Sequence, residues 1–339
     1  MDPVSTEEIQ RRLLGWFARH RRDLPFRRDR SPYRVLLTEV MSQQTAAEAV
    51  GHHLERFLVR FPDVPTLAAA AEQDVLALWQ GLGYYSRARN LHRAARVMVE
   101  RFGGHVPADP ADLRALPGVG PYIAAAIGSF AFGRDAAAFD ANAARVLARL
   151  FDLDRATPGL AESLLPHGRA ADWNEAVMDL GALVCVPRAP RCALCPLADL
   201  CAGRQAGRAA SLPCKPVRRP RPEVEVTTLV LRDGAGRLGL VQRPSAGLLA
   251  GMWECPSVEG GASPAEVARR HSLDLCGEVE PLPALRYTFT HRIWRVRPYR
   301  AVGHGPVRWV DAAEMRELPL GGPSARLAVA EGARIAVPK

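Results

Sequence analysis

The sequence predicts a two-domain protein, an all-α N-terminal domain followed by a smaller α+β domain. Three observations carry this. Up to about residue 210, alanine and leucine are dense and apolar residues recur at spacings of three and four, as in Leu91-HRAARVMVERF, the period of a helix with one buried face. The segment Leu212-PCKPVRRPRPE then interrupts the pattern with four prolines and four basic residues, the composition of an extended linker. Beyond it, short runs rich in β-branched and aromatic residues are separated by Gly and Pro, which reads as strands. The expected boundaries are residues 1–210, a linker at 211–223, and a second domain at 224–339. The 339-residue length suits this division.

The elements follow in order. The opening MDPVSTEEIQRRLLGWF carries early acids and lacks the apolar core of a signal peptide, so a cytoplasmic protein, nucleoid-associated in a bacterium, is expected. Helix starts are signalled at Ser31-Pro32, Asp63-Val-Pro65 and Asp109-Pro110, where a capping residue or proline precedes an apolar run. Leu116-Pro-Gly-Val-Gly-Pro-Tyr122 is a turn between two helices. With Gly118 and Gly120 flanking one apolar residue, it can present backbone N–H groups to a phosphate at a helix N-terminus. The helix after it, IAAAIGSFAFG, is nearly all apolar and should be core. In the second domain, Val224-EVTTLVLR, Leu238-GLVQR, Tyr287-TFTHRIWRVRPYRAV and Val307-RWV read as strands, and Ser263-Pro264 to about His271 as a helix. There is no internal repeat.

Composition narrows the partners. Lys and Arg outnumber Asp and Glu by 45 to 36, giving a net charge of +9 and a pI near 9.6. That balance suits a polyanion, nucleic acid first, or simply a soluble surface. No apolar run approaches the roughly 20 residues of a membrane span. Seven cysteines are present, an odd number in a large chain expected to be intracellular, which favours a metal site over disulfides. Four fall within seventeen residues, Cys185, Cys192, Cys195 and Cys201, spaced C-x6-C-x2-C-x5-C. The spacing fits zinc and an iron–sulfur cluster equally. Cys214, Cys255 and Cys276 are expected to be ordinary buried thiols. Between the first two clustered cysteines, Arg188 and Arg191 are stiffened by Pro187 and Pro190, which suits a phosphate backbone or a solvated loop.

Two carboxylates stand out. Glu39 lies among Leu36, Leu37, Val40 and Met41 on a predicted helix. It is either an exposed helix acid or a buried one, whose raised pKa would let it donate a proton near neutrality. Asp140 follows an apolar stretch and precedes a helix, in AAAFDANAARVLARL. It is a good N-cap, and the helix field there favours the anion. One acid pushed up and one held down is the pairing that glycosidic cleavage requires.

TEVMSQQT, GLGYYSRARNLH, LPGVGPY, the Asp140 segment, WNEAVMDLGALVC and the four-cysteine spacing occur in the order of MutY-type adenine DNA glycosylases. The chain resembles that family densely over residues 12–205 and more loosely after 224. The resemblance implies an all-α helix–hairpin–helix glycosylase domain with a 4Fe–4S cluster and an α+β Nudix-like C-terminal domain. It implies removal of adenine mispaired with 8-oxoguanine or guanine in double-stranded DNA, with the nucleotide flipped out of the stack, by a protein acting as a monomer away from membranes. Glu39 then matches the acid that protonates adenine N7, and Asp140 the carboxylate that stabilises the sugar cation. Tyr122 and Asn142 match polar supports. Arg30 matches a basic residue near the flipped base, and Gln44 and Tyr84 match residues that wedge into the duplex. Arg188 and Arg191 become phosphate contacts beside the cluster. Phe289-Thr290-His291 matches the loop that recognises 8-oxoguanine.

The chain departs from the family's pattern in several places. Thr290 stands where serine is usual, Phe26 where tryptophan is, and Ala141 where glycine is; if that glycine needs a left-handed backbone, alanine costs about 1–2 kcal/mol there. Tyr122 replaces the lysine of the endonuclease III branch, and a phenol cannot form a Schiff base, so little strand cleavage is expected. Gly247-LLAGMWECPSVEGG resembles the start of a Nudix module, but the acidic metal-binding set is missing, so phosphate hydrolysis is not expected. The alternatives are a thymine or other mismatch glycosylase of the same fold and a non-catalytic lesion-binding protein.

Overall fold

In the computed structural model, residues 5–43, 45, 47–214 and 220–330 are described. Gln44 and residues 215–219 of the predicted linker lie outside them. The chain divides into two units, Met1–Ala70 with Arg89–Val217, and Ala71–Ala88 with Arg218–Lys339. The sequence points to one crossing near 210; the chain crosses three times, and residues 71–88 group with the C-terminal unit.

The helices of the first unit are α1 (Thr6–His20), α2 (Pro32–Ser42), α3 (Ala47–Arg60) and α4 (Val64–Ala69). In the second, α5 (Glu72–Leu78) leads to α6 (Ser86–Phe102), within which the chain returns to the first unit. There follow α7 (Pro110–Ala115), α8 (Pro121–Phe132), α9 (Ala141–Leu150), α10 (Pro158–Ser163), α11 (Ala170–Leu183) and α12 (Ala202–Gln205). The predicted starts are where the sequence puts them. Pro32 opens α2, Asp63 accepts the Thr66 N–H at the head of α4, and Asp109 accepts from Ala111 and Asp112 at the head of α7. Each side-chain cap satisfies an N–H that a helix leaves without a partner.

Packing sets the site. Helix α2 packs on α8, and α11 packs on both α9 and α1. Ile9, Leu13, Trp16 and Phe17 of α1 meet Val146, Leu147 and Leu150 of α9 and Trp173, Val177 and Leu180 of α11 in one buried cluster. Each large side chain so buried contributes about 1.5–3 kcal/mol. Cys185, Cys195 and Cys201 pack against the edge of that cluster, which ties the cysteine loop to the helices.

In the second unit, β1 (Glu223–Arg232), β2 (Leu238–Gln242), β3 (Trp253–Glu254), β4 (Ser257–Glu259), β5 (Asp274–Pro281), β6 (Leu285–Thr288), β7 (Ile293–His304) and β8 (Arg308–Val310) form a mixed sheet. Its order is β3-β2-β1-β7-β5, with β4 on β1, β6 on β7 and β8 on β2. Strands β1 and β7 run parallel from Glu223↔Ile293 to Arg232↔Val302. Val226 and Val230 bury into one cluster with Ala325 and Leu327 of α15 (Gly322–Ala330), after α14 (Glu314–Glu317). Leu229 and Leu231 bury into another with Val267 and Ala268 of α13 (Pro264–Arg270). Both faces of β1 are covered from Val226 to Leu231, and there the sequence turns from the Glu-Val alternation of its start to the unbroken apolar run Leu229-Val-Leu231.

Three expectations need correction. The run from Tyr287 is two strands, β6 and β7, broken at 289–292; a composition rich in strand formers does not mark a hairpin that lacks Gly. Of the three scattered cysteines only Cys255 is buried, while Cys214 and Cys276 are exposed. Ala141 is the first residue of α9 and has no positive φ, so its Cβ meets no left-handed strain.

Candidate active site

The two acids come together. Helix α2 carries Glu39 and α8 begins one residue before Tyr122; the packing of these helices brings the side chains into contact, with Tyr122 Oη donating to Glu39 Oε2 at 2.7 Å. Asp140, the N-cap of α9, lines the same pocket. The pocket encloses about 190 Å³, the share of about six waters in the liquid. A larger cleft of about 800 Å³ in the same unit, lined from Asp29, Tyr33, Pro62 and His105, holds neither Glu39 nor Asp140, so size alone does not locate the chemistry.

Glu39 is 8% exposed, so the buried alternative is the one that holds. Burial pushes its carboxyl up to about 7, against the opposing Tyr122 hydrogen bond; the charge of Asp140 adds to the rise and that of Arg27 offsets it. A carboxyl there carries a proton at neutral pH and can release it. Burial, then the neighbouring Glu39, raises the Tyr122 phenol well above its ordinary value, which keeps it a donor. Asp140 Oδ1 accepts the Ala143 N–H at 2.7 Å, and Oδ2 accepts from Asn142 Nδ2 at 2.7 Å. Both oxygens act as acceptors, the role of a carboxylate anion. The Thr38 hydroxyl also lines the pocket, buried and without a hydrogen-bond partner among the described residues, so a polar group is available to a ligand.

Beyond Arg30, sequence reasoning missed the charged side of this pocket. Arg22, Arg27 and Glu175 line it with Arg30. Arg30 Nη2 lies 3.2 Å from Glu175 Oε2, and Arg27 Nε lies 3.7 Å from Glu175 Oε1. Burial raises the Glu175 carboxyl, against the nearby Arg27 and Arg30 charges. The signal that could have found it is the i, i+4 pair Glu175 and Asp179 in the alanine- and leucine-rich part of α11, which puts two acids on one face.

From Asp140 a hydrogen-bonded chain runs to the cysteine loop. Asn142 Oδ1 accepts from Arg145 Nη2 at 2.8 Å, and Arg145 Nε donates to the Cys185 carbonyl at 2.8 Å. Arg149, 2% exposed, donates to the carbonyls of Leu212, Cys185, Val186 and Pro187 and to Cys185 Sγ at 3.3 Å. The four clustered thiols are partly buried; burial pushes Cys195 up to about 11 and raises Cys201. Among the described residues no three His, Cys, Asp or Glu side chains are grouped to hold a single metal ion. Arg188 and Arg191 are exposed beside this loop, and Arg191 Nη1 lies 3.4 Å from the Leu183 carbonyl.

The turn at 116–120 precedes α8. Gly118 has φ +79°, and a Cβ there would meet Asn90 Cβ at 2.7 Å, whereas Gly120 is the N-cap of α8 with open space around it. In the second unit, Tyr84 adopts a left-handed φ of 47° and is 45% exposed. Thr290 Oγ1 donates to its hydroxyl at 2.9 Å. Phe289 is half-buried against Tyr287 and Trp294, while Thr290 and His291 are exposed. Gln44 lies outside the described residues.

Comparison with known proteins identifies the family. The HhH-GPD superfamily of base excision DNA repair proteins matches residues 37–167, and the NUDIX domain family matches residues 227–329. The adenine DNA glycosylase of Mus musculus is 36% identical over 348 residues, covering 84% of this chain and 67% of that protein. The chain belongs to the adenine DNA glycosylase family. Its helical unit is accordingly a helix–hairpin–helix glycosylase fold, and its sheet-bearing unit a Nudix-type domain. The Homo sapiens member is 36% identical over 353 residues, 82% of this chain and 64% of that protein, so the chain spans just under two thirds of its length. A solved thermostable thymine-DNA glycosylase superposes with a TM-score of 0.57 at 32% identity, over 59% of this chain and 97% of that one. No helix among the described residues is long and apolar enough to cross a membrane.

Proposed function

We propose that this protein is an adenine DNA glycosylase that excises adenine mispaired with 8-oxoguanine or guanine. One observation carries the reading: a buried carboxyl poised at about 7 shares a pocket with a carboxylate whose oxygens are held by Asn142 and a helix N-terminus. The flipped adenine enters the pocket and its N7 takes the proton of Glu39. The bond from C1′ to N9 breaks, its electron pair leaves with the base, and the sugar cation forms beside Asp140. Water adds to C1′ and returns a proton to Glu39. Protonation at N7 is a purine's route to departure, so the site favours adenine over thymine, although a thymine-DNA glycosylase shares the fold.

Arg30 is proposed to lie near the flipped base, Gly118, Gly120, Arg188 and Arg191 to hold the DNA backbone, Gln44 and Tyr84 to wedge into the duplex, and Phe289, Thr290 and His291 to recognise 8-oxoguanine. Cys185, Cys192, Cys195 and Cys201 are proposed to ligate a 4Fe–4S cluster. Four thiols on one loop, three of them packed on the helical core, fit such a group. When bound, it supplies a thiolate-held brace for the arginine-bearing loop.

Single-turnover adenine release from an adenine:8-oxoguanine duplex tests the assignment, with adenine:guanine and thymine:guanine duplexes alongside. The parent chain should release adenine, and Glu39→Gln should lose about 10²–10⁴-fold. Release by Glu39→Gln at the parental rate, or thymine release outpacing adenine, sinks the reading.

A further inference from the structure

Asp179 is a buried acid that the reaction above does not use. Its side chain has no exposed surface. Oδ1 accepts from Arg22 Nε at 2.8 Å and Arg27 Nη2 at 2.9 Å, and Oδ2 from the Arg22 backbone N–H at 3.0 Å and Arg27 Nη1 at 2.9 Å. The contact to Arg27 is thus bidentate, the strongest geometry for this pair. Burial alone would raise the Asp179 carboxyl, yet the bonds from Arg27 and Arg22 hold it below its ordinary value.

Both arginines belong to the segment that forms one wall of the base pocket, with Leu24 and Phe26 between them. Arg27 lines that pocket together with Glu39, and its charge acts on the Glu39 carboxyl. The other groups facing Glu39 are Tyr122 from α8, Asp140 from the head of α9 and Glu175 from α11. The cations lining this pocket are Arg22, Arg27 and Arg30, and each is already engaged, the first two by Asp179 and Arg30 by Glu175. A guanidinium released to pair with Glu39 would favour its anion, and an ionised Glu39 has no proton to give.

We infer that Asp179 is a positioning residue that sequesters Arg27 in a saturated buried pair and so keeps Glu39 able to hold its proton. This rests on the proposed role of Glu39 as the acid, but its first readout does not depend on catalysis. Glutamate labelled with ¹³C at the side-chain carboxyl is introduced into the full-length protein with its cysteine loop intact, and the Glu39 signal is identified by its absence in Glu39→Gln. The midpoint should lie near 7 in the parent and fall by about one pH unit or more in Asp179→Asn. Adenine release should then drop more steeply above neutrality than below it, a change of pH profile that general loosening of the fold does not produce. An unshifted midpoint in folded Asp179→Asn overturns the inference. If that variant does not fold, the double change Arg27→Gln with Asp179→Asn removes both charges together. Because the Arg27 charge favours the Glu39 anion, its midpoint should stay at or above the parental one, and a fall of about one unit or more overturns the inference. A parent chain that releases no adenine defeats the functional proposal instead, while the carboxyl titration still decides the role of Asp179.

Discussion

Replacing Tyr122 by phenylalanine isolates what one hydrogen bond does to the acid. The phenol donates to Glu39 Oε2 at 2.7 Å inside a buried site, and in the folded protein it favours the anion and pulls the carboxyl down against burial. A hydrogen bond to a charged group contributes about 1.5–3 kcal/mol, which is about one to two pH units at 1.36 kcal/mol per unit. The sign follows: without the donor the anion is worse solvated, the Glu39 midpoint climbs from about 7, and the protonated acid survives to higher pH. Single-turnover adenine release, followed from about pH 5.5 to about pH 9.5, should therefore show the alkaline limb of Tyr122→Phe displaced upward by about one unit or more. At pH 6 the protonated fraction is already high in the parent, so the variant should gain nothing there and show only whatever the phenol contributes to placing the base. A limb that stays put or moves down would falsify the assignment of Glu39 as the proton donor under the control of Tyr122.

Other perturbations test separate parts of the structure. Arg149→Met strips the donor from four carbonyls at about 1 kcal/mol or more each; it should lower the melting temperature of the helical unit by about 6 °C or more and reduce bound iron, read by metal analysis and visible absorbance. Gly118→Ala places a Cβ 2.7 Å from Asn90 at a left-handed φ; it should cost about 1–2 kcal/mol of stability and weaken duplex binding, measured by melting and by titration at fixed salt. The parent chain, with a phenol rather than an amine at position 122, should yield strand breaks only after alkali; equal yields without alkali would contradict the monofunctional chemistry.

Caps and periodicity made the helices readable because they are local: Asp63, Asp109 and Ser263 each bond an N–H within three residues. The second unit was harder. Strand β5, charged and largely exposed, carries no alternation that a sequence can display, and the return of residues 71–88 to the C-terminal unit leaves no mark in composition. Within the pocket, Glu39 and Asp140 were visible as unusual acids; Glu175 and Asp179 show in the sequence only as two acids on one helix face, and Arg22 and Arg27 look like ordinary surface charges. Their burial depends on partners about 150 residues away.

The sequence by itself determined which groups are available: a carboxyl in an apolar helix, a capping aspartate, four thiols on one loop and a glycine turn at the head of a helix. These follow from neighbours along the chain. Only the tertiary structure decided their charge states. Whether Glu39 is protonated depends on how far α8 and α11 exclude water from it, and on whether the nearest cation is already paired with Asp179. Desolvation and charge pairing act through space, and nothing in local sequence order encodes them.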